Sequence, residues 1–278
     1  MSDEQPPRPG LSFGSVAAAY DRGRPGYPAE AAAWLMDGDA RIVLELGAGT
    51  GKLTSVLVEQ GHAVHATDPD RAMLDVLEKR VPGASAKQAS AEEIPANDRS
   101  VDVVVVAQAF HWFDHERALP EIARVLRPEG HLALVWNGRD ERIPWVRRLG
   151  ATIGRQDLDA SSVDAVVNSD HFGPVEEKSF KHWQDVNRDT LLDMALSRST
   201  IVTLAADERE RKLAEVRDIY DEYGRGMDGM QLPYVARCFR AKLADRDEPT
   251  TEPAADASHE GPVVSDGTDT DMLLIDFR

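Results

Sequence analysis

The stretch 41-RIVLELGAGTGKLT-54 decides the fold. An aliphatic run, Ile42 to Leu46, ends in three glycines, Gly47, Gly49 and Gly51, and an amphipathic segment opens at once with Lys52. Strand, glycine turn and helix open a βαβ unit, because glycine lets the backbone turn tightly and lets a ligand approach without interference from a Cβ. The spacing narrows the ligand. A phosphate-binding P-loop reads G-x-x-x-x-G-K-[ST]; here Leu46 stands in place of its first glycine and Leu53 in place of the hydroxyl that holds magnesium. A dinucleotide turn reads G-x-G-x-x-G, whereas this one reads G-x-G-x-G, which suits a ligand without a pyrophosphate. Asp68 closes the next apolar run, 21 positions after Gly47. At that distance a carboxylate can accept both hydroxyls of a ribose, so the ligand is expected to carry one.

Outward from the turn, short apolar runs alternate with helical patterns. RIVLEL, HAVHATD, VDVVVVA and HLALVWN are nearly continuous in apolar character, as expected of parallel strands covered on both faces. Between them lie the amphipathic segments PAEAAAWLMD, which begins at Pro28, KLTSVLVEQ, closed by Gly61, AMLDVLEKR, stopped by Pro82, and ERALPEIARVL, stopped by Pro128. The series predicts an open, doubly wound α/β sheet. After Asn137 the rhythm changes. PWVRRLGATIGRQ, RDTLLDMALSRST and ADERERKLAEVRDIYDEYG read as helices, while EEKSFKHWQDV and MQLPYVARCFRA read as strands that add to one sheet edge in antiparallel fashion.

Composition bounds the class. At 278 residues the chain is expected to form one domain from residue 11 to residue 243, between a disordered N-terminus, residues 1–10, and a disordered acidic tail, residues 244–278, poor in apolar groups. Hydrophobic residues make up 42% and charged residues 29%, with no apolar run of membrane length and no secretory signal, so a cytoplasmic protein without a membrane partner is expected. The net charge of −17 disfavours nucleic acid, whose binding rests on lysine and arginine. A small molecule is the better partner, and the chain itself is expected to be a monomer or homodimer. The single cysteine, Cys238, excludes an internal disulfide or a multi-cysteine metal site and reads as a structural thiol, and no metal is expected.

Five blocks, VLELGAGTGKLT, ATDPDRAML, ASAEEIP, VDVVVVAQAFHWFD and EIARVLRPEGHLALVWN, stand in the order and spacing of the class I S-adenosylmethionine-dependent methyltransferases, which the chain resembles from Phe13 to Asn137. AFHWF after the fourth strand, with the later SRST and LPYVARCFRA, is most similar to the small-molecule branch that includes enzymes like trans-aconitate methyltransferase. The resemblance implies a Rossmann-like, mostly parallel seven-stranded sheet with an antiparallel edge. It implies S-adenosyl-L-methionine as cofactor, with Glu45, Gly47, Ala48 and Gly49 along its methionine part, Asp68 on the ribose, and Pro69 and Met73 flanking the adenine. Ser90, Ala91 and Glu92 would meet the adenine edge, and Ala107 and Gln108 would sit beside the sulfonium. Simpler readings stand beside these: Glu45 pairing with a neighbour, and Met73 in the core.

AFHWFD, residues 109–114, puts Phe110, His111, Trp112 and Phe113 where a buried strand meets water. In this topology the run falls between cofactor and acceptor, where aromatic faces exclude water and favour positive charge. Phe110, His111, Trp112 and Tyr27 are therefore acceptor-site candidates. His111 is a catalytic base if the acceptor is a hydroxyl or amine, and orients a carboxylate otherwise; packing alone is the plainer alternative. In similar enzymes a segment ahead of the first strand covers the cofactor, which places Tyr20 and Arg24 there, Arg24 against the methionine carboxylate or an acidic acceptor. Methyl transfer to a small-molecule carboxylate, hydroxyl or amine by direct displacement is the expected function. A nicotinamide-dependent oxidoreductase and a non-catalytic S-adenosylmethionine-binding regulator are the alternatives.

Overall fold

The four apolar runs become the middle of one seven-stranded sheet. Strands β1 (Ile42–Leu46), β2 (Ala63–Asp68), β3 (Ser85–Gln88), β4 (Val101–Ala107) and β5 (Leu126–Arg139) pair in parallel, while β7 (Met230–Leu243) lies antiparallel to both β5 and β6 (Phe172–Val186). The order across the sheet is β3-β2-β1-β4-β5-β7-β6, the mostly parallel α/β sheet with an antiparallel edge that the residue pattern predicts. The computed structural model describes residues 23–38, 41–155, 160–224 and 230–244, all within a compact unit that ends at Ala244. Residues 1–10, Tyr20 and the acidic tail from Asp245 onward lie outside the described residues.

VDVVVVA shows why continuous apolar runs belong in such a sheet. Successive side chains on a strand face opposite sides. Val103 and Val105 join Val43 in a cluster beneath α1 (Ala29–Met36) and α2 (Lys52–Glu59), whereas Val104 and Val106 join Leu44 and Leu46 beneath α4 (His115–Val125). Cys238 is buried in the first cluster, and burial pushes its thiol up to about 12, so it packs as an apolar group. Between β2 and β3, α3 (Arg71–Arg80) begins at Asp70, whose side chain accepts the N–H of Ala72.

A third cluster caps the sheet where the antiparallel edge begins. It joins Val146 and Leu149 of α5 (Pro144–Ile153), Leu191 and Met194 of α7 (Arg188–Leu196), and Val216 and Ile219 of α9 (Ala206–Tyr223) to Tyr234 of β7. Because Tyr234 pairs with Arg139, this helical cap stands over the C-terminal end of β5. The short helices α6 (Ala160–Val167) and α8 (Ser199–Val202) complete the second half. The residue pattern did not reveal β3: its four residues, SAKQ, are mostly exposed and carry no apolar signal, and pairing with β2 makes them a strand. Among the described residues no helix is long and apolar enough to cross a membrane.

Candidate active site

Register brings the functional ends together. Leu46 lies beside Thr67 of β2 and Val106 of β4, so the glycine turn, Asp68 and Ala107 share one edge of the sheet. Successive strands run outward in opposite directions from β1 and β4, the switch point at which open α/β sheets bind ligands. Gly47 has φ +67°, and a Cβ there would stand 2.5 Å from the Cβ of Ala109. Gly49 has φ +56°, and a Cβ there would meet nothing within 4 Å. The turn is thus closed against the exit of β4 and open toward the site.

Two buried carboxylates flank it. Thr54 donates to Oε2 of Glu45 at 2.6 Å, but burial dominates and pushes the Glu45 carboxyl up to about 8, with the nearby charge of Asp68 adding to the rise. Asp68 accepts the N–H of Gly49 through Oδ2 and that of Asp70 through Oδ1, each at 2.9 Å. Burial raises its pKa and these two bonds oppose the rise. A carboxylate oxygen has two acceptor positions, so Asp68 can shape the turn and still receive hydroxyls.

A cavity of about 60 Å³ lies over the turn. It is lined by Glu45, Ala48 and Ala107 together with Arg24, Tyr27 and Gln108. Gln108 is a non-glycine residue at φ +61°, pinned by a bond from its N–H to the Val135 carbonyl at 2.9 Å and from Nε2 to the Asn137 carbonyl at 3.0 Å. Such a backbone persists where its surroundings impose it, commonly at functional sites. Asn137 in turn donates to the Gly26 carbonyl at 2.9 Å and meets Nε2 of His182 at 3.0 Å, which ties the 24–27 segment to the sheet. Thr54, Lys52 and Asn137 escaped the sequence reading; Thr54 was readable, being one helical turn from Gly51 and aimed back at the strand.

The remaining candidates lie around the cavity. Pro69 is exposed and its carbonyl accepts from Gln88, whereas Met73 is 5% exposed and packed in. Ser90 is half-buried, Ala91 belongs to the core, and Glu92 accepts the N–H of Asp114 at 3.0 Å, fastening the loop after β3 to the start of α4. The aromatic run divides. Phe110, expected at the acceptor, has no exposed surface and stacks on His115 at 4.6 Å, where α4 folds back over the strand exit. His111 and Trp112 point outward, their rings 4.5 Å apart, and neither lines the cavity. A larger cleft of about 480 Å³, between Leu44, Ala66 and Lys87, opens where no helix follows β3, away from the turn.

The glycines and Asp68 suit the expected cofactor. The cradle is shaped where a Cβ at Gly47 would collide, and the Asp68 carboxylate suits a diol. Comparison with known proteins agrees. Residues 44–134 match the family described as "Methyltransferase domain". A protein of Mycobacterium tuberculosis named as an uncharacterized methyltransferase is 49% identical over 237 residues, covering 84% of this chain and 96% of that one. One from Schizosaccharomyces pombe, named as an uncharacterized methyltransferase-like protein, is 35% identical over 243 residues, covering 83% and 95%. A solved structure from Anaeromyxobacter dehalogenans, provisionally designated a type II methyltransferase, is 25% identical with a TM-score of 0.58 and covers 79% of this chain and 97% of that one. With near-complete relatives at this identity and the same sheet, the chain belongs to the class I S-adenosylmethionine-dependent methyltransferases.

Proposed function

We propose that the enzyme moves a methyl group to a small-molecule acceptor, and that the cofactor lies across the glycine turn with its methionine part toward Glu45. The observation that carries this reading is the convergence of Glu45, the open side of Gly49, Arg24 and the strained Gln108 on one cavity at the switch point. When bound, S-adenosylmethionine supplies a methyl already activated on a cationic sulfonium. The chain therefore has to bind, align and exclude water rather than activate. Asp68 receives the ribose hydroxyls on the lone pairs left by Gly49 and Asp70. Pro69 and Met73 flank the base, and Ser90 to Glu92 meet its edge.

Gln108 holds the end of β4 against the reacting centre, and the 24–27 segment covers it, with Tyr27 on the acceptor's path. The net charge of −17 supports a small acceptor over nucleic acid. His111 and Trp112 stand at the outer rim, where His111 orients the acceptor rather than removes its proton. Calorimetric titration with S-adenosylhomocysteine, with NAD as the control, tests the cofactor. Labelled methyl transfer to a panel of carboxylates, phenols and amines tests the acceptor. Absence of S-adenosylhomocysteine binding overturns the reading, and binding without turnover on any acceptor favours a regulator.

A further inference from the structure

The Gly26 carbonyl fixes a series of hydrogen bonds that leads away from the cofactor cavity. A carbonyl oxygen only accepts, so the Asn137 atom 2.9 Å from it is the amide nitrogen Nδ2. The amide oxygen Oδ1 then faces His182, 3.0 Å from Nε2, and as an acceptor it requires a hydrogen on that nitrogen. Burial holds the His182 imidazole below its usual pKa, which favours the neutral ring with its one hydrogen at Nε2. His182 thereby fixes which way the Asn137 amide is turned. The reversed amide would set oxygen against oxygen at Gly26 and nitrogen against hydrogen at His182.

The bond spans three strands. His182 lies on β6 and Asn137 on β5, with β7 between them, so about 10 Å separates their backbones. The β7 residue beside Asn137 is Ala236, whose small side chain leaves room for the imidazole to cross. His182 pairs with Tyr234 in register, and the two rings stack at 5.5 Å and 24°. The Tyr234 hydroxyl in turn donates to the Met194 sulfur at 3.3 Å, and a Cβ at Gly23 would stand 2.5 Å from the Met194 nitrogen. Both ends of the short segment ahead of α1 thus rest on one assembly, Gly26 through Asn137 and Gly23 through Met194. Between and beside them, Arg24, Pro25 and Tyr27 line the cavity.

We propose that His182 is a positioning residue for the cofactor, acting through Asn137 to hold the 24–27 segment down on the cavity. His182 does not itself line the cavity, so its influence on a bound molecule passes through the segment. The main-chain carbonyl of the same Asn137 accepts Nε2 of Gln108, so the residue that holds the segment also holds the exit of β4. The proposal goes beyond the methyl-transfer reading and rests on it only for the identity of the ligand.

Two quantities test it: amide hydrogen exchange of residues 23–27 in the ligand-free protein, and the dissociation rate of S-adenosylhomocysteine. His182→Phe keeps a ring to stack on Tyr234 and removes the donor, so exchange and dissociation should both quicken by about 3- to 10-fold. His182→Gln, whose amide N–H takes the place of Nε2–H, should return both toward wild type. Asn137→Asp keeps an acceptor for His182 but offers Gly26 no hydrogen, so it should match or exceed the effect of His182→Phe. In an Asn137→Ala background His182→Phe should add nothing. Unchanged exchange and dissociation in His182→Phe overturn the proposal. So does His182→Gln behaving like His182→Phe, or full additivity with Asn137→Ala, because those are the results of a histidine that only packs. If His182→Phe does not fold, His182→Leu decides by the same measures. Failure of S-adenosylhomocysteine to bind wild type would strike the methyl-transfer reading, and hydrogen exchange would still decide the role of His182.

Discussion

The two ends of the cavity are built in opposite ways. The cofactor end is contiguous: Glu45, Gly47, Gly49 and Thr54 lie within ten residues, and Asp68 reaches them through one backbone bond to Gly49. The cap side is assembled from afar, with Arg24 and Tyr27 held over it by the bond from Asn137 of β5 to the Gly26 carbonyl and by the fit of Gly23 on α7. A ligand shared by many enzymes can be held by a short strand–turn–helix unit, whose backbone supplies most of the contacts. An acceptor peculiar to one enzyme requires side chains from several elements, which vary while the sheet does not.

This contrast is broken first by the turn itself. Gly47→Val places a branched side chain at φ +67° and against Ala109, so stability should fall by about 2 to 5 kcal/mol and S-adenosylhomocysteine affinity by about 100-fold or more. Urea denaturation and calorimetry check both, and a variant with wild-type affinity would remove the turn from the site. Asp68→Ala comes next. Loss of a charged acceptor should weaken the cofactor by roughly 1.5 to 3 kcal/mol, and stability should also drop because Gly49 and Asp70 lose their partner. Acceptor selectivity should be unchanged, and a shift in it would erase the distinction between the two ends.

Glu45 sharpens the comparison through pH. Its carboxyl keeps a proton up to about pH 8 in the folded chain and loses it near 4.5 when unfolded, so the folded state binds the extra proton between these values. Stability should therefore fall as pH rises through that window, by up to about 1.4 kcal/mol per pH unit from this group, and level off above 8. Glu45→Gln has no such proton. The difference in unfolding free energy between variant and wild type should grow in the variant's favour from pH 6 to pH 8, and a constant difference would mean that Glu45 is charged throughout. The smallest effect is expected at His111. Exposed at the rim, His111→Ala should lower acceptor kcat/KM by far less than the roughly 100- to 10,000-fold that loss of a general base costs, and the pH–rate profile should keep its shape. A loss in that range with a flattened profile would move His111 into the reacting centre.

Much of this was legible before folding. The sheet, its antiparallel edge and the glycine turn followed from runs such as VDVVVVA and GAGTG, because burial on both faces and a left-handed turn each demand particular residues at consecutive positions. An aromatic run marks a place where the chain leaves the core, but not which ring stays behind: Phe110 is buried, whereas His111 and Trp112 are exposed. Strand β3 was hidden because its four polar residues are held by pairing alone.

What the residues determined alone was therefore local, the strand periods and the turn chemistry of a methyl-donor site. Only the tertiary structure decided that Glu45 is buried beside Asp68, that Gln108 is locked at positive φ, and that Asn137 fastens the 24–27 segment to the sheet. Each depends on groups far apart in the chain: desolvation and Coulombic coupling follow distance in space, and neither leaves a period or a motif in sequence.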